Sequence, residues 1–531
     1  MAKTQTPITW NEIQHFFTPG EIGCMKNRTG GHGKIDLGSY ESVKANAGLI
    51  YQRVADGSMP LGGTPWKKAK VGQFLDWVQH GCPETASESE AHAAVFKMTT
   101  VHPSATRIRK NINDLSTIEF ALLVKAFKGV MAKDPTNDTD SIDPNSYFAQ
   151  AGYHWFPAPT YCQHHMDLFL SWHRAYVYSF ENALRSVEGC ESVTLPYWDI
   201  TTPFPERLKK APFDYYTYPI NVVGENPNTG SPTVAASKGD HTQRNTGGYK
   251  VINQQIQNKV VPNIKSANKA SNWEGFNGFT TMGKNFTSSQ IIAAHDQGHV
   301  AVGPQSQGGT MGNQDIAAFD PCFWFFHANW DRVWWVWQKK TKTTTLQGLI
   351  ANFLQPKKRA PMFQGPSPLN QISPFTENAG QTIDSVAYYG VDYEHSKSAP
   401  AIDMSFAKNL HHSTELHENE VKIHKRNVTV HVEGVDRLKI PGTFHVLLLK
   451  NGKTIDKHAF FQPNEAGKCP NCVKMPKVDF AFTVPLKKIK KGKISIAIEV
   501  FDKTSGEHRI PLKEVGNPTI SFKLPFISKK S

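Results

Sequence analysis

Four stretches of this chain set histidine among large apolar residues, an unusual use of a polar ring. "YCQHHMDLFLSWHRAY" holds Cys162, His164, His165 and His173, and "GYHWFP" puts His154 ten residues before His164. "HDQGHV" carries His295 and His299 four residues apart, and "FFHANWDRVWW" carries His327. Neutral imidazoles in threes, needing no carboxylate or thiolate, suit copper or zinc, and copper especially well. A di-iron carboxylate site would want Glu-x-x-His on paired helices, and these stretches lack it. A lone histidine on an apolar helix face is usually a core residue; two triplets, one with an i, i+4 pair, ask for more.

The elements that must position these rings follow from periodicity. Phe169, Tyr176, Phe180, Leu184 and Val187 recur at helical spacing, with His173 on the same stripe. His164 lies nine residues earlier and would face the other way on a continuous helix, so it must precede the helix to meet His173. Pro157 marks a break between His154 and His164. Thr287, Ser288 or Ser289 can cap a helix that carries His295 and His299 on one side. Asp320 as cap and Pro321 at the first position open another helix, with Phe323, Phe326, His327, Trp330, Val333, Trp334 and Trp337 along its apolar face.

A chain of 531 residues is expected to form two or three domains. Residues 1–90 read as short helices, 91–395 as long helical patterns, 396–419 as a linker and 420–531 as strands. The strands show in "VDFAFTV" and "ISIAIEV", where apolar residues alternate as in a sheet with one buried face. A net charge of +13 comes with no nucleic-acid-binding motif, so no nucleic-acid partner is expected. No stretch is apolar for long enough to span a bilayer and no signal-peptide pattern opens the chain, which makes the cytoplasm the default expectation, with secretion by another route left open. Among seven cysteines, Cys162 and the pair in "CPNC", Cys469 and Cys472, look set for chemistry, while Cys24 and Cys82 could bridge in an oxidising compartment.

The segments "YHWFP…CQHHMDLFLSWHRAY" and "HDQGHV…FDPCFWFFHANWDRVWW" resemble the two copper-binding regions of tyrosinases, catechol oxidases and molluscan haemocyanins, the type-3 copper proteins. The resemblance covers residues 91–395 and implies a mainly α catalytic domain, a helical bundle holding two copper ions, with a small helical N-terminal region and a β-sandwich-like C-terminal domain. By position, His154, His164 and His173 would bind copper A, and His295, His299 and His327 copper B. His164 is preferred over His165 because the family's second and third copper-A histidines are nine apart. The family often writes "HHAN" at the last site; here Phe326 stands first, which leaves His327. Cys162 and His164 match the Cys-x-His of fungal tyrosinases and molluscan haemocyanins, which implies a thioether between them; a free buried cysteine is the alternative. Phe323 falls where an aromatic lies against the copper pair, Val300 would border the substrate slot, and Arg174 and Asp331 match charged residues that support the ligands.

Such a site implies oxidation of o-diphenols to o-quinones with O₂, and in some members hydroxylation of monophenols. Many tyrosinases have asparagine after the first copper-B histidine, working with an upstream glutamate. Here Asp296 stands there, and "NFTSSQIIAAH" contains no glutamate. Asp296 is therefore either the base itself or a salt-bridge partner elsewhere, and diphenol oxidation is expected ahead of monophenol hydroxylation, which stays open. "YYGVDYE" resembles the motif closing the catalytic domain, and the β-domain resembles those that shield latent proenzymes. Phe460 or Phe461 would plug the entrance, and Cys469 and Cys472 would pass Cu(I) to the imidazoles. Two buried phenylalanines of an ordinary strand fit the same residues. Small phenols are the expected partners, neither nucleic acid nor membrane is, and self-association is left open. The alternatives are a haemocyanin-like oxygen carrier and, less favoured, a dizinc hydrolase.

Overall fold

The computed structural model describes residues 8–26, 35–60, 63–86, 105–156, 161–225, 232–278, 286–287, 290–394, 427–490, 492–502 and 506–523. They fall into two compact units. One comprises residues 1–108, 271–274 and 332–395, the other 109–270, 275–331 and 396–531. The expected boundary at 90 and the linker 396–419 lie outside the described residues. No described helix is long and apolar enough to cross a membrane.

In the first unit, helix α1 (Tyr40–Ala55) and helix α2 (Lys68–Gln79) bury Val43, Ile50, Val54, Phe74 and Trp77 together with Trp10, Ile13 and Phe17. The N-terminal helices do not stand apart, because α1 packs on the helix Leu346–Asn352. Gly48 makes that packing close: a Cβ there would lie 2.8 Å from the carbonyl oxygen of Gln347, and the Gly48 amide donates to Gln347 Oε1 at 3.0 Å. The grouping thus follows tertiary contact rather than chain order. All seven cysteines are free, Cys24 exposed and Cys82 buried.

The second unit holds every histidine of interest. Ser116 caps helix α3 (Thr117–Met131) in a capping box with Glu119, and Ser146 caps the short helix α4 (Tyr147–Gly152). Helix α5 (Phe169–Arg185) begins after His164, as convergence with His173 requires. Helix α6 (Ile291–Val302) has Gln290 at its N-cap; of the three expected caps Thr287 lies in a strand instead, and Ser288 and Ser289 lie outside the described residues. Helix α7 (Cys322–Thr341) opens with the Cys322 amide donating to Asp320 Oδ1 at 2.9 Å. Asp320 therefore does cap α7, although the helix begins one residue later than Pro321 suggests. Gly298 lets α6 approach α7, since a Cβ there would meet the Phe326 ring at 2.6 Å.

The C-terminal strands are β1 (Asn427–Asp436), β2 (Phe444–Lys450), β3 (Lys453–Phe460), β4 (Lys477–Pro485), β5 (Ile494–Asp502), β6 (Gly506–Ile510) and β7 (Thr519–Lys523). One sheet has the order β6-β5-β2-β3 and the other β7-β1-β4, antiparallel throughout, with residues Phe286–Thr287 pairing parallel to β4. Rings from both sheets meet: Phe480 of β4 lies 5.7 Å from Phe460 of β3 and 6.2 Å from Phe444 of β2. This is a two-sheet sandwich with an aromatic core.

Candidate metal centre

Helix α6 presents His295 and His299 one turn apart, and α7 brings His327 against them. One nitrogen from each lies within 4.8 Å of the others. The Nε2 atoms of His299 and His295 are 2.9 Å apart, and those of His327 and His299 3.3 Å. The far nitrogens are partly fixed: His299 Nδ1 donates to the Met311 carbonyl at 2.7 Å, and His295 Nδ1 lies 3.0 Å from Asp296 Oδ1. An Nδ1 that donates leaves the lone pair on Nε2, which is the atom facing the other rings.

The other triplet is built differently. His154 follows the last turn of α4, His164 sits in the turn before α5, and His173 lies within α5. His154 Nε2 and His164 Nε2 are 3.3 Å apart, and the His173 ring is centred 5.1 Å from that of His164. His154 Nδ1 donates to the Gln314 carbonyl at 3.0 Å and His173 Nδ1 to the Phe169 carbonyl at 2.8 Å. His173 Nε2 is left buried with no partner, as are His164 Nδ1 and His327 Nδ1. The two triplets adjoin: the His173 and His327 rings stack at 4.4 Å and 10°.

Burial disfavours the protonated form of all six rings. It holds His154 at about 3 and the other five well below the usual 6.5. Six neutral imidazoles in two buried groups, five of them with Nε2 facing another ring and His173 Nε2 left without a protein partner, fit two copper ions. A buried unpartnered nitrogen is costly unless something else satisfies it.

A buried charge cluster clamps the helices beneath the site. Asp331 of α7 accepts from Arg174 of α5 through Oδ1 and from Arg109 Nη1 through Oδ2 at 3.1 Å, and Arg109 Nε donates to Glu181 Oε2 at 2.8 Å. Arg174 and Asp331 each sit beside or one turn from a histidine, so the clamp holds His173 and His327 in register. Phe323 lies 4.1 Å from the His327 ring and 5.0 Å from that of His154, touching both triplets. Val300 is only half-buried, on α6 next to His299.

His165 takes a positive φ of 56°, which turns it away from His164. Its Nε2 meets Asp296 Oδ2 at 2.8 Å and its ring stacks on Phe460 at 4.1 Å. Asp296 Oδ2 also accepts from the Phe461 amide at 3.2 Å. The carboxylate that the sequence offered as a base is thus fully engaged in this structure, holding His295 and His165. Burial raises its pKa against the pull of His165.

The two plug candidates separate cleanly. Phe461 stacks on His299 at 4.1 Å and 16°, with its centroid 5.3 Å from His164, 5.9 Å from His295 and 6.4 Å from His154. Phe460 instead packs against His165, Phe444 and Phe480 in the sandwich core, with the Arg437 guanidinium 4.8 Å from its ring. Cys162 lies with His154 and His164, their ligating atoms within 4.8 Å, and its Sγ accepts from Gln314 Nε2 at 3.3 Å. The CxxC turn is close by: Asn471 Nδ2 donates to the Cys162 carbonyl at 3.0 Å, and Arg437 Nη2 to Cys472 Sγ at 3.2 Å. The hydrogen bond from Cys472 lowers the Cys469 thiol to about 7. Sequence reasoning missed Gln314, Met311 and the His165–Asp296 pair, since a backbone carbonyl or a distant partner leaves no local pattern.

Two histidine triplets on a helical core, facing each other and covered by a β-sandwich, define the class of coupled dicopper proteins. Residues 144–340 match the common central domain of tyrosinase, a match that supports a type-3 copper protein of the tyrosinase kind for this part of the chain. A tyrosinase of Hahella sp. is 26% identical over 319 residues, covering 41% of this chain and 56% of the relative. Haemocyanin units G and H of Sepia officinalis are 31% identical over 273 residues, covering 49% of this chain and 43% of the relative. A tyrosinase structure from Burkholderia thailandensis shares the fold, with a TM-score of 0.56 at 20% identity over 78% of this chain and all of that one. The chain spans 8% and 19% of two Enteroctopus dofleini haemocyanin chains and little more than half of the Hahella tyrosinase.

Proposed function

We propose that the chain is a copper-dependent phenol oxidase that converts o-diphenols to o-quinones with O₂ and is held latent by its C-terminal domain. The observation that carries this reading is the Phe461 ring, stacked on His299 and lying against two rings of each triplet. It fills a slot of the size and apolar character that a phenol ring needs, bounded by imidazoles. Two bound coppers supply the two-electron exchange between the diphenol and O₂. His154, His164 and His173 would hold copper A, and His295, His299 and His327 copper B.

The chain's own residues do the rest. Phe323 and the histidine rings shape the slot, and the Arg174–Asp331–Arg109 clamp keeps the ligand helices from drifting. Withdrawal of Phe461 removes its amide from Asp296 Oδ2 and leaves that oxygen one hydrogen bond short, ready to accept a phenolic proton while His165 stays bonded. Because Asp296 remains tied to His295 and His165, diphenols, which ionise and release electrons readily, are the favoured substrates over monophenols. Cys469 and Cys472 would hand Cu(I) to the site, and Cys162 would become joined to His164 by a thioether.

Oxygen uptake by copper-loaded protein, with a catechol and with a monophenol, before and after removal of the chain beyond residue 400, tests this. The full chain should oxidise the catechol slowly, and the shortened chain about tenfold faster or more, equivalent to ~1.4 kcal/mol of barrier. The haemocyanin relatives supply a second reading, oxygen carriage. Reversible O₂ binding with catechol untouched even after truncation would favour it.

A further inference from the structure

The segment Thr310–Asp315 touches both triplets. The Met311 carbonyl fixes His299 of one, and the Gln314 carbonyl fixes His154 of the other. The Gln314 side chain also holds Cys162 Sγ. The segment is pinned to its neighbours by backbone: the Gly312 amide donates to the Gly303 carbonyl at 2.6 Å and the Thr310 amide to the Gln243 carbonyl at 2.8 Å. No side chain fits at Gly309 or Gly312, where a Cβ would lie 2.3 Å from Gly303 backbone atoms. The end of the segment is fastened from the C-terminal domain. Asn464 Nδ2 donates to Asp315 Oδ2 at 2.8 Å and to Asn313 Oδ1 at 3.3 Å, while Gln305 Nε2 donates to Asn464 Oδ1 at 2.7 Å. Gln305 Oε1 in turn accepts from the Thr443 amide at 3.2 Å. Asn464 stands three residues after Phe461.

We propose that Thr310–Asp315 is a single positioning loop for one imidazole at each copper, and that Asn464 makes the C-terminal domain hold that loop. The domain would then do two separable things through one short segment: Phe461 covers the site and Asn464 keeps its ligands aligned. The physical reason is that the acceptor on Nδ1 sets both the tautomer and the rotation of a ligating ring, so an acceptor that moves weakens the metal bond opposite it. Without the Asn464 side-chain amide the buried Asp315 carboxylate loses its Oδ2 side-chain donor and keeps only the Asn464 backbone N–H, while Oδ1 already has no partner, and the loop must shift to rehydrate it. Met311 and Gln314 shift with it.

This rests on the dicopper reading, and the test reads copper release rather than phenol oxidation. Full-length, copper-loaded proteins are mixed with excess EDTA and copper transfer is followed with time. All carry Phe461→Ala, so that access to the site is the same in each. Adding Asn464→Ala should speed release about tenfold, within the range for lost outer hydrogen bonds at metal sites. Adding Asp315→Asn with Asn464→Asp, in which donor and acceptor change places, should return release to the rate of Phe461→Ala alone. Equal release with and without Asn464→Ala would overturn the proposal. So would a swapped pair that releases as fast as Asn464→Ala, because Asn464 would then act only through the stability of its own domain. A parent protein that takes up no copper at all would overturn the dicopper reading, and this inference with it.

Discussion

His295 and His299 lie one turn apart on α6 and His327 meets them from α7, so two packed helices set three rings facing one another. His154, by contrast, comes after the end of α4 and His164 from a turn, and of that triplet only His173 is on a helix. The difference shows in what surrounds each group. Both triplets have ring nitrogens held from outside, His299 by the Met311 carbonyl and His295 by Asp296, but the turn-built one gathers more: Gln314 on His154 and on Cys162, Cys162 beside His164, and Asn471 on the Cys162 carbonyl. The lesson is that a ligand carried on a helix inherits its position, while a ligand on a turn needs hydrogen bonds or a covalent tie to replace what the helix would have supplied.

The largest effect that could break this comparison comes from the ligands themselves. His173→Ala and His327→Ala should each remove phenol oxidation by about a thousandfold or more, ~4 kcal/mol, while circular dichroism still shows a folded chain. If the comparison is right, the copper left in His327→Ala, held by the turn-built triplet, is stripped by chelator faster than that left in His173→Ala. Equal rates would remove the distinction.

Phe461→Ala should raise catechol turnover of the full chain about tenfold, ~1.4 kcal/mol. Phe460→Ala, which empties the sandwich core, should instead lower unfolding stability by ~3–5 kcal/mol. A turnover gain from Phe460→Ala with unchanged stability would reverse the assignment of plug and core. The tie on the turn-built triplet is tested by mass. After copper loading, the peptide Tyr161–Arg174 should weigh two hydrogens less than its sequence, and Cys162→Ser should loosen copper A while leaving copper B unaffected. An unmodified peptide whose Cys162 still alkylates would reject the thioether.

The smallest effect concerns Asp134, which supports α4, the helix leading to His154. Its Oδ1 accepts from the Phe148 amide at 2.7 Å and its Oδ2 from Tyr216 Oη at 2.7 Å, and burial raises its pKa to about 7. A carboxyl group whose pKa is higher folded than unfolded costs nothing below the unfolded value of 3.8, and its cost is complete once pH passes about 7. Thermal stability should therefore decline as pH rises through that window, and Asp134→Asn should flatten the decline. An identical pH profile in the variant would show that Asp134 does not titrate there.

What was legible in the sequence follows the same division. The stripe around His173, the i, i+4 pair and the cap at Asp320 could be read because helix period and cap chemistry are local. The turn-built triplet could be grouped from the sequence, but the choice of His164 over His165 came only from family resemblance, since the spacing of His154 and His164 carries no period. Which of Phe460 and Phe461 faces the histidines depends on how β3 ends, and strand alternation places neighbouring side chains on opposite faces without saying which face meets the site. The roles of His165, Gln314 and Asn464 depend on partners more than a hundred residues away in the chain. The attachment of the N-terminal helices to Leu346–Asn352 was hidden for the same reason, since Gly48 reads locally as a mere helix weakness.

The most direct test of the account is the copper content of the folded, full-length chain after loading and removal of free metal. Two coppers per chain are expected, falling to one when either triplet loses a histidine, as in His154→Ala or His299→Ala. A chain that holds two coppers in either variant, or a folded wild type that holds none, would contradict a dicopper centre built from these six histidines.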